Sequence, residues 1–194
     1  MAARQTVQIG HPALRKDNQN ISDFNSAETK ETVIDLKDTM KVKKSVGLAA
    51  PQIKKNFNIF VTEIRKTKFR NLSHDEFRAY INPKIIHFSK KQSIIFEGCF
   101  SVMNGQIFGP VKRPSEITIE AYNERGKKFQ LRCNGILARV IQHEYDHLLG
   151  IEFLEKIYDY KQLMTHRYYK QNIRNSKEEQ EASKTTVLDF KYIK

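Results

Sequence analysis

Gln142-His-Glu-Tyr-Asp-His-Leu-Leu-Gly150 decides how this chain is organised. Its two histidines stand four residues apart, so on a helix they share one face about one turn apart. Two imidazoles placed in this way can bind one divalent ion. Glu144, beside the first, can reach the water such an ion binds and act as general base. Ile136 and Val140 extend the histidine face toward the helix start. The pattern predicts a buried helix over about 135–149, capped by Asn134 and closed by Gly150. Two buried imidazoles and a carboxylate on one turn are costly without a metal to pair them.

A catalytic site of this kind takes three protein ligands and keeps one position open. The place six residues after His147 holds Phe153, and residues 167–175 contain no glutamate. The third ligand must come from upstream, and Glu97-Gly-Cys-Phe-Ser101 supplies the candidate. Cys99 is a soft ligand that binds as thiolate, and Gly98 lets the backbone come close. Cys133 ends a strand with no liganding neighbour and reads as packing.

Further out, Ser45-Val-Gly-Leu-Ala-Ala-Pro-Gln52 is built of small residues that suit close backbone packing. Residues 116–122 alternate apolar and polar, 123–126 make a turn, and 128–132 return, which predicts a hairpin. Shorter apolar runs at 58–62, 79–82 and 93–96 read as strands. Residues 26–40 carry helical spacing with Ser26 as cap. Residues 1–26 read as an irregular arm. The chain from about Tyr158 reads as helical, then as a polar, mobile tail over 175–194. Helix, strands, then helix argues an α+β fold, with antiparallel or mixed strands around a central metal-binding helix. The expected division is a catalytic domain over 1–160, followed by a basic C-terminal helix and polar tail over 161–194.

Composition narrows the function classes. The 194 residues contain no apolar run long enough to span a membrane. Met1-Ala-Ala-Arg-Gln-Thr6 lacks the order of a signal peptide. Two cysteines cannot form a disulfide framework, so a cytoplasmic, reducing setting is expected. Lys and Arg number 34 against 22 Asp and Glu, a net +12 that favours polyanionic partners. The excess is scattered, with runs at Lys41–Lys44, Lys54–Lys55 and Arg65–Arg70. A solvated surface explains these runs, and contact with RNA or a ribonucleoprotein is the sharper reading.

Three blocks together resemble the signature motifs of peptide deformylase. Ser45–Gln52 is similar to the family's Gly-apolar-Gly-apolar-Ala-Ala-x-Gln. Glu97–Ser101 is similar to Glu-Gly-Cys-apolar-Ser, and Gln142–Gly150 to Gln-His-Glu-x-Asp-His-Leu-x-Gly. Their order fits, as does the early Ile9-Gly-His-Pro-Ala-Leu-Arg15, and the likeness covers about residues 5–160. It implies a hydrolase that removes the formyl group from formyl-methionine at the start of newly made polypeptides, releasing formate. Cys99, His143 and His147 would hold one divalent ion, natively Fe(II), with Zn, Ni or Co able to replace it. Glu144 would shuttle the proton, and the Gln52 amide and Phe100 N–H would stabilise the oxyanion. Val46, Ile95, Val140 and the Phe100 ring would line the methionine slot. Gly47, Glu97 and Gly98 would complete the substrate contacts, with Gly47 pairing an extended peptide through its backbone. The resemblance also suggests a Glu97–Arg113 buried pair and a supporting role for Asp146.

Two departures stand out: Ser45 replaces the motif's first glycine, and Gln106 stands where an arginine is usual. They leave room for a metal-dependent amidase or peptidase with another substrate. The basic C-terminal segment, with Lys161, Arg167, Lys170 and Arg174, suggests a ribosome contact. At the extreme it suggests a ribosome- or RNA-binding protein with a relict site. If the segment serves an enzyme's ribosome contact, residues after Tyr160 are dispensable for hydrolysis of a short peptide.

Overall fold

A computed structural model describes residues 3–66, 74–184 and 186–194. The 67–70 part of the basic run at Arg65–Arg70, and Met1 and Ala2, lie outside the described residues. In chain order the elements are α1 (Ala27–Lys43), β1 (Gly47–Ala49), β2 (Ile59–Ile64), β3 (Asp75–Phe88), β4 (Gln92–Gly98), β5 (Ile107–Pro114), β6 (Glu116–Tyr122) and β7 (Lys128–Asn134). There follow α2 (Gly135–Leu148), β8 (Met164–Thr165), α3 (His166–Asn172), α4 (Lys177–Ala182) and β9 (Thr186–Tyr192). One sheet runs β1-β2-β3-β6-β7-β9 and a second runs β4-β5-β8, with antiparallel pairing throughout the named strands. The expected α+β class holds. No helix among the described residues is long and apolar enough to cross a membrane.

The larger sheet is a bed for α2. Ile117, Ile119 and Ala121 of β6 and Phe129, Leu131 and Cys133 of β7 alternate inward, as their period-two pattern requires. They meet Leu137, Ala138, Val140 and Ile141 of α2 in one apolar cluster. Helix α1 packs Val33, Leu36 and Met40 into a second cluster with Leu48, Ile59 and Val61. Its start is fixed by Ser26, whose side chain accepts from the Thr29 N–H at 3.1 Å.

Several elements differ from expectation for identifiable reasons. β3 is far longer than 79–82, because Pro83 falls in an irregular stretch beside Asn82 (φ 49°) where the register with β6 shifts. β5 is not among the expected strands, and it carries Gly109, Pro110 and Pro114, residues common in turns. The two prolines face Phe96 and Gln92, and a four-residue spacing puts both at positions that donate nothing to the ladder. Asn134 sits at the N-cap of α2, but its side chain makes no capping bond.

The expected helix after Tyr158 is replaced by a 3-10 turn at Tyr160–Gln162, β8 and the short α3. The segment read as a mobile tail instead forms α4 and then β9, which pairs with β7 from Thr186 to Tyr192. An edge strand takes its stability from main-chain bonds to β7 and from few apolar side chains. Phe190, 5.5 Å from the Phe129 ring, is one of them. A polar composition is therefore compatible with order here.

Candidate metal centre

Three separate elements deliver the motif residues to one place. α2 supplies His143, Glu144 and His147. The end of β4 delivers Cys99, and the 3-10 turn Ala50–Ile53 after β1 delivers Gln52. One ligand atom from each of Cys99, His143 and His147 lies within 4.8 Å of the others. Cys99 Sγ is 3.2 Å from His147 Nε2. Metal–sulfur and metal–nitrogen bonds of the usual length would make a tetrahedron with edges of about 3.4–3.6 Å. The donor set therefore fits a divalent ion with small adjustment. Glu144 strengthens the fit. It is 5% exposed, and its Oε2 has no hydrogen-bond partner among the described residues. A buried carboxylate oxygen left open beside three soft or borderline donors suits a site that receives a cation and polar reactants.

The electrostatics agree. Burial pushes the Cys99 thiol up, but the charge of His147 and hydrogen bonds with both histidines more than offset it and bring it to about 6. The sulfur is thus held toward thiolate, its liganding form, and a cation would displace protons from the cluster. Burial raises Glu144 to about 7, against the opposing pull of His143 and His147. That is the range in which a carboxylate exchanges protons near neutral pH.

Outside the donors, Glu97 is the organising group. Its Oε2 lies 2.9 Å from His143 Nδ1, which fixes the ring and turns Nε2 toward the cluster. Arg113 donates to both Glu97 oxygens at 2.8 and 3.0 Å, and Arg139 donates to Oε1 at 3.0 Å. Burial alone would raise this carboxylate, yet the two guanidiniums and the His143 bond hold it well below the usual range. The expected Glu97–Arg113 pair is present. Both Glu97 oxygens are spent on protein partners, however, so the expectation that Glu97 contacts substrate has no free oxygen to support it. Asp146 accepts from Arg113 at 2.5 Å and closes the network.

Gln52 is buried, and its Oε1 accepts from the Ala49 N–H at 2.8 Å. That bond aims Nε2 at Cys99 Sγ (3.4 Å) and Ser101 Oγ (3.2 Å). Gly47 is required where it stands. A Cβ there would come within 2.5 Å of Glu144 Oε1 and 2.6 Å of Val140 Cγ1. Gly47, Val140 and Glu144 are therefore one contact set. Val46 packs, half-buried, at the edge of the same cluster as Val140. Ile95 is buried and shares a face of β4 with Glu97. At Gly98 a Cβ would meet the Phe108 ring at 2.4 Å. Phe100 is partly exposed, and its carbonyl accepts from Gln8 Nε2 at 2.9 Å. The N-terminal arm clasps both motif loops through Val7 N–H to Gln52 (2.9 Å) and Ile9 N–H to Ser101 (2.7 Å).

The Ser45 departure is harmless to the backbone. The left-handed residue at this turn is Lys44 (φ 57°), and Ser45 is not among the positive-φ residues. Gln106 is exposed, and its carbonyl accepts from the His166 N–H at 2.8 Å. Sequence reasoning passed over three residues. Arg139 stands four before His143 on α2, a helical spacing that could have flagged it. Ser101, whose Oγ accepts from Gln52 Nε2, closes the Glu97–Ser101 motif, and its place there was the signal for it. Glu152, whose Oε1 is 3.6 Å from His147 Nδ1, depends on how the chain turns after Gly150.

The polypeptide deformylase family model matches residues 3–163. The peptide deformylase of Pseudothermotoga lettingae is 38% identical over 149 residues, spanning 77% of this chain and 80% of that protein. Among solved structures, the peptide deformylase of Thermotoga maritima superposes with a TM-score of 0.71 at 30% identity, covering 82% of this chain and all of that one. The class I type b enzyme of Acinetobacter baumannii, solved with Met-Ala-Ser bound, gives 0.73 at 28% identity over 80% of this chain and 99% of that one. With three motif blocks converging on one buried cluster and relatives matching over most of its length, this chain belongs to the peptide deformylase family, the hydrolases that remove the N-formyl group from newly made peptides.

Proposed function

We propose that this chain deformylates peptides beginning with formyl-methionine, using Cys99, His143 and His147 to hold one Fe(II) ion that Zn, Ni or Co can replace. The observation that carries the reading is the convergence of those donors with Glu144 and Gln52 in a single buried cluster. When bound, the cation acts as Lewis acid toward the formyl carbonyl and makes water a better nucleophile. Glu144 Oε2, buried and without a protein partner among the described residues, takes the proton of the attacking water. It later returns that proton to the departing amide nitrogen, so that formate and a free amine leave. The oxyanion is met by Gln52 Nε2, whose present bonds of 3.4 and 3.2 Å are long enough to exchange, and by the Phe100 N–H.

The methionine side chain occupies an apolar slot of Val46, Ile95, Val140 and the Phe100 ring, and Gly47 and Gly98 offer backbone groups to the extended peptide. Support comes from the tight approach of Gly47 to Val140 and Glu144. The Met-Ala-Ser bound to the Acinetobacter baumannii enzyme also begins with methionine. In this reading residues 1–160 form the catalytic unit and 161–194 a basic extension. The enzyme works in the cytoplasm, and exposed Lys161, Arg167 and Lys170 help it linger at the ribosome. Reversing those three charges should reduce co-sedimentation with ribosomes at low salt, and an unchanged pellet would remove that part.

The decisive experiment is anaerobic purification with metal analysis and a formate-release assay on one sample. Formate release from a formyl-methionyl peptide should track bound iron. Activity in a sample free of divalent metal, or no formate from the loaded enzyme, would overturn the proposal.

A further inference from the structure

The two prolines of β5 also fix which way β4 faces. Pro110 and Pro114 have no N–H, so their partners Phe96 and Gln92 occupy positions that do not bond across to β5. By alternation, the main-chain groups of Phe96 and Gly98 point to the opposite edge. The Phe96 N–H there meets Glu179 Oε2 of α4 at 3.5 Å. The other oxygen of Glu179 accepts from the Tyr169 hydroxyl at 3.1 Å.

Tyr169, on α3, makes a second set of contacts. Its ring stacks on Phe108 at 4.5 Å between centroids, and His166 stacks on the same Phe108 at 4.9 Å. The Tyr169 ring also lies 6.0 Å from that of Phe96. Phe108 in turn lies so close over Gly98 that no side chain fits there, and Gly98 is bonded directly to Cys99. Two routes therefore run from Tyr169 to the last turn of chain before the sulfur. One passes through the Phe108 ring to Gly98, the other through Glu179 to the Phe96 N–H. All of these C-terminal residues lie beyond the 3–163 span that the family model matches.

We propose that Tyr169 is a positioning residue for Cys99: through Phe108 and Glu179 it clamps the end of β4 and so sets where the sulfur stands relative to His143 and His147. The C-terminal extension is then part of the catalytic machinery's support, contrary to the expectation that residues after Tyr160 are dispensable for hydrolysis. The inference rests on the reading of Cys99 as a metal ligand.

The test uses the full chain loaded with Co(II), comparing wild type with Tyr169→Ala and Tyr169→Phe. Tyr169→Ala should bind Co(II) about tenfold more weakly and shift or weaken the sulfur-to-cobalt charge-transfer band, the low end of what supporting residues around a metal contribute. Its kcat for a short formyl-methionyl peptide should fall while KM stays near wild type. Tyr169→Phe keeps the ring and should recover most of the affinity and the band. If Tyr169→Ala does not fold, Tyr169→Leu, which fills the space without a planar ring, should show the same affinity loss. A folded Tyr169→Ala or Tyr169→Leu with wild-type affinity, band and kcat overturns the inference. A wild-type enzyme with no sulfur-to-cobalt band overturns instead the assignment of Cys99, so the two failures are distinguishable.

Discussion

Cys99 and Cys133 sit in matching places and behave as opposites. Each lies at the end of a strand, Cys99 just past β4 and Cys133 one residue before the end of β7, and each is buried, at 3% and 0% exposure. Around Cys133 stand Ile117, Leu131 and Leu137, and burial among them pushes its thiol up, away from the thiolate. Around Cys99 stand the Gln52 amide and two imidazoles, and burial is more than offset by the charge of His147 and hydrogen bonds with both rings, which bring its thiol to about 6. Depth alone does not make a cysteine reactive or inert. What decides is whether the element packed against it presents ring nitrogens or methyl groups. α2 does both, with Leu137 on one side and His143 and His147 on another.

The most direct way to break this contrast is to remove each sulfur. Cys99→Ala should lose both bound metal and formate release, while Cys133→Ala keeps both, as metal analysis and the formate assay on the two variants will show. Retention of metal by Cys99→Ala would mean the imidazoles alone define the site. Next in size is Glu144→Gln. It keeps all three donors, so metal content should be unchanged, while turnover falls by about 10²–10⁴-fold, the range general base catalysis supplies. The same residue sets a pH signature. Burial raises Glu144 to about 7, and only its ionised form accepts a proton, so kcat/KM should fall as pH drops through that value. A bound cation lowers the carboxylate from there, so the limb belongs at or below about 7, and Glu144→Gln should lack it. Surviving turnover in that variant would remove the base assignment.

Glu97→Gln sharpens the contrast from the outside. The charge that orients His143 and pairs Arg113 and Arg139 would be gone while the shape remained. Metal affinity should drop by about 10–100-fold, and stability by about 3 kcal/mol or more, because buried guanidiniums lose their partner. Competition against a chelator and chemical denaturation measure the two separately. A fall in stability with unchanged affinity would mean that Glu97 only packs.

How much of this was legible in the sequence follows from the range of the physics involved. His143 and His147 were readable because helical periodicity is local and a four-residue spacing fixes a shared face. The β6–β7 hairpin was readable for the same reason, from alternation and the turn at 123–126. Cys99 was readable only by elimination and by motif, since no local rule joins a strand end to a helix more than forty residues on. Arg139 was within reach, four residues before His143 on the same helix, but its partner Glu97 was not, and Glu152 depends on how the chain packs after the turn at Gly150. β9 was misread because an edge strand draws on the donors and acceptors of β7, and composition does not record main-chain hydrogen bonds. Pro110 and Pro114 carry no local strand signal, but at a spacing of four beside β4 they mark which edge the strand leaves open.

The smallest expected effect is the other half of the opening contrast. Cys133 contributes volume and apolar surface, so Cys133→Ala leaves a small gap in the apolar cluster it shares with Ile117 and Leu137. Truncations of that modest size cost about 1 kcal/mol, read as a lower denaturation midpoint with an unchanged slope. Metal content and kcat should match wild type, because among the described residues no hydrogen bond connects this sulfur to the cluster of Cys99, His143 and His147. The sulfur nonetheless sits two residues before Gly135, where α2 begins, so the helix carrying both histidines starts beside it. If Cys133→Ala lowered metal affinity as well as stability, the start of α2 would be transmitting packing to the imidazoles. The two cysteines would then differ in distance from the metal rather than in kind.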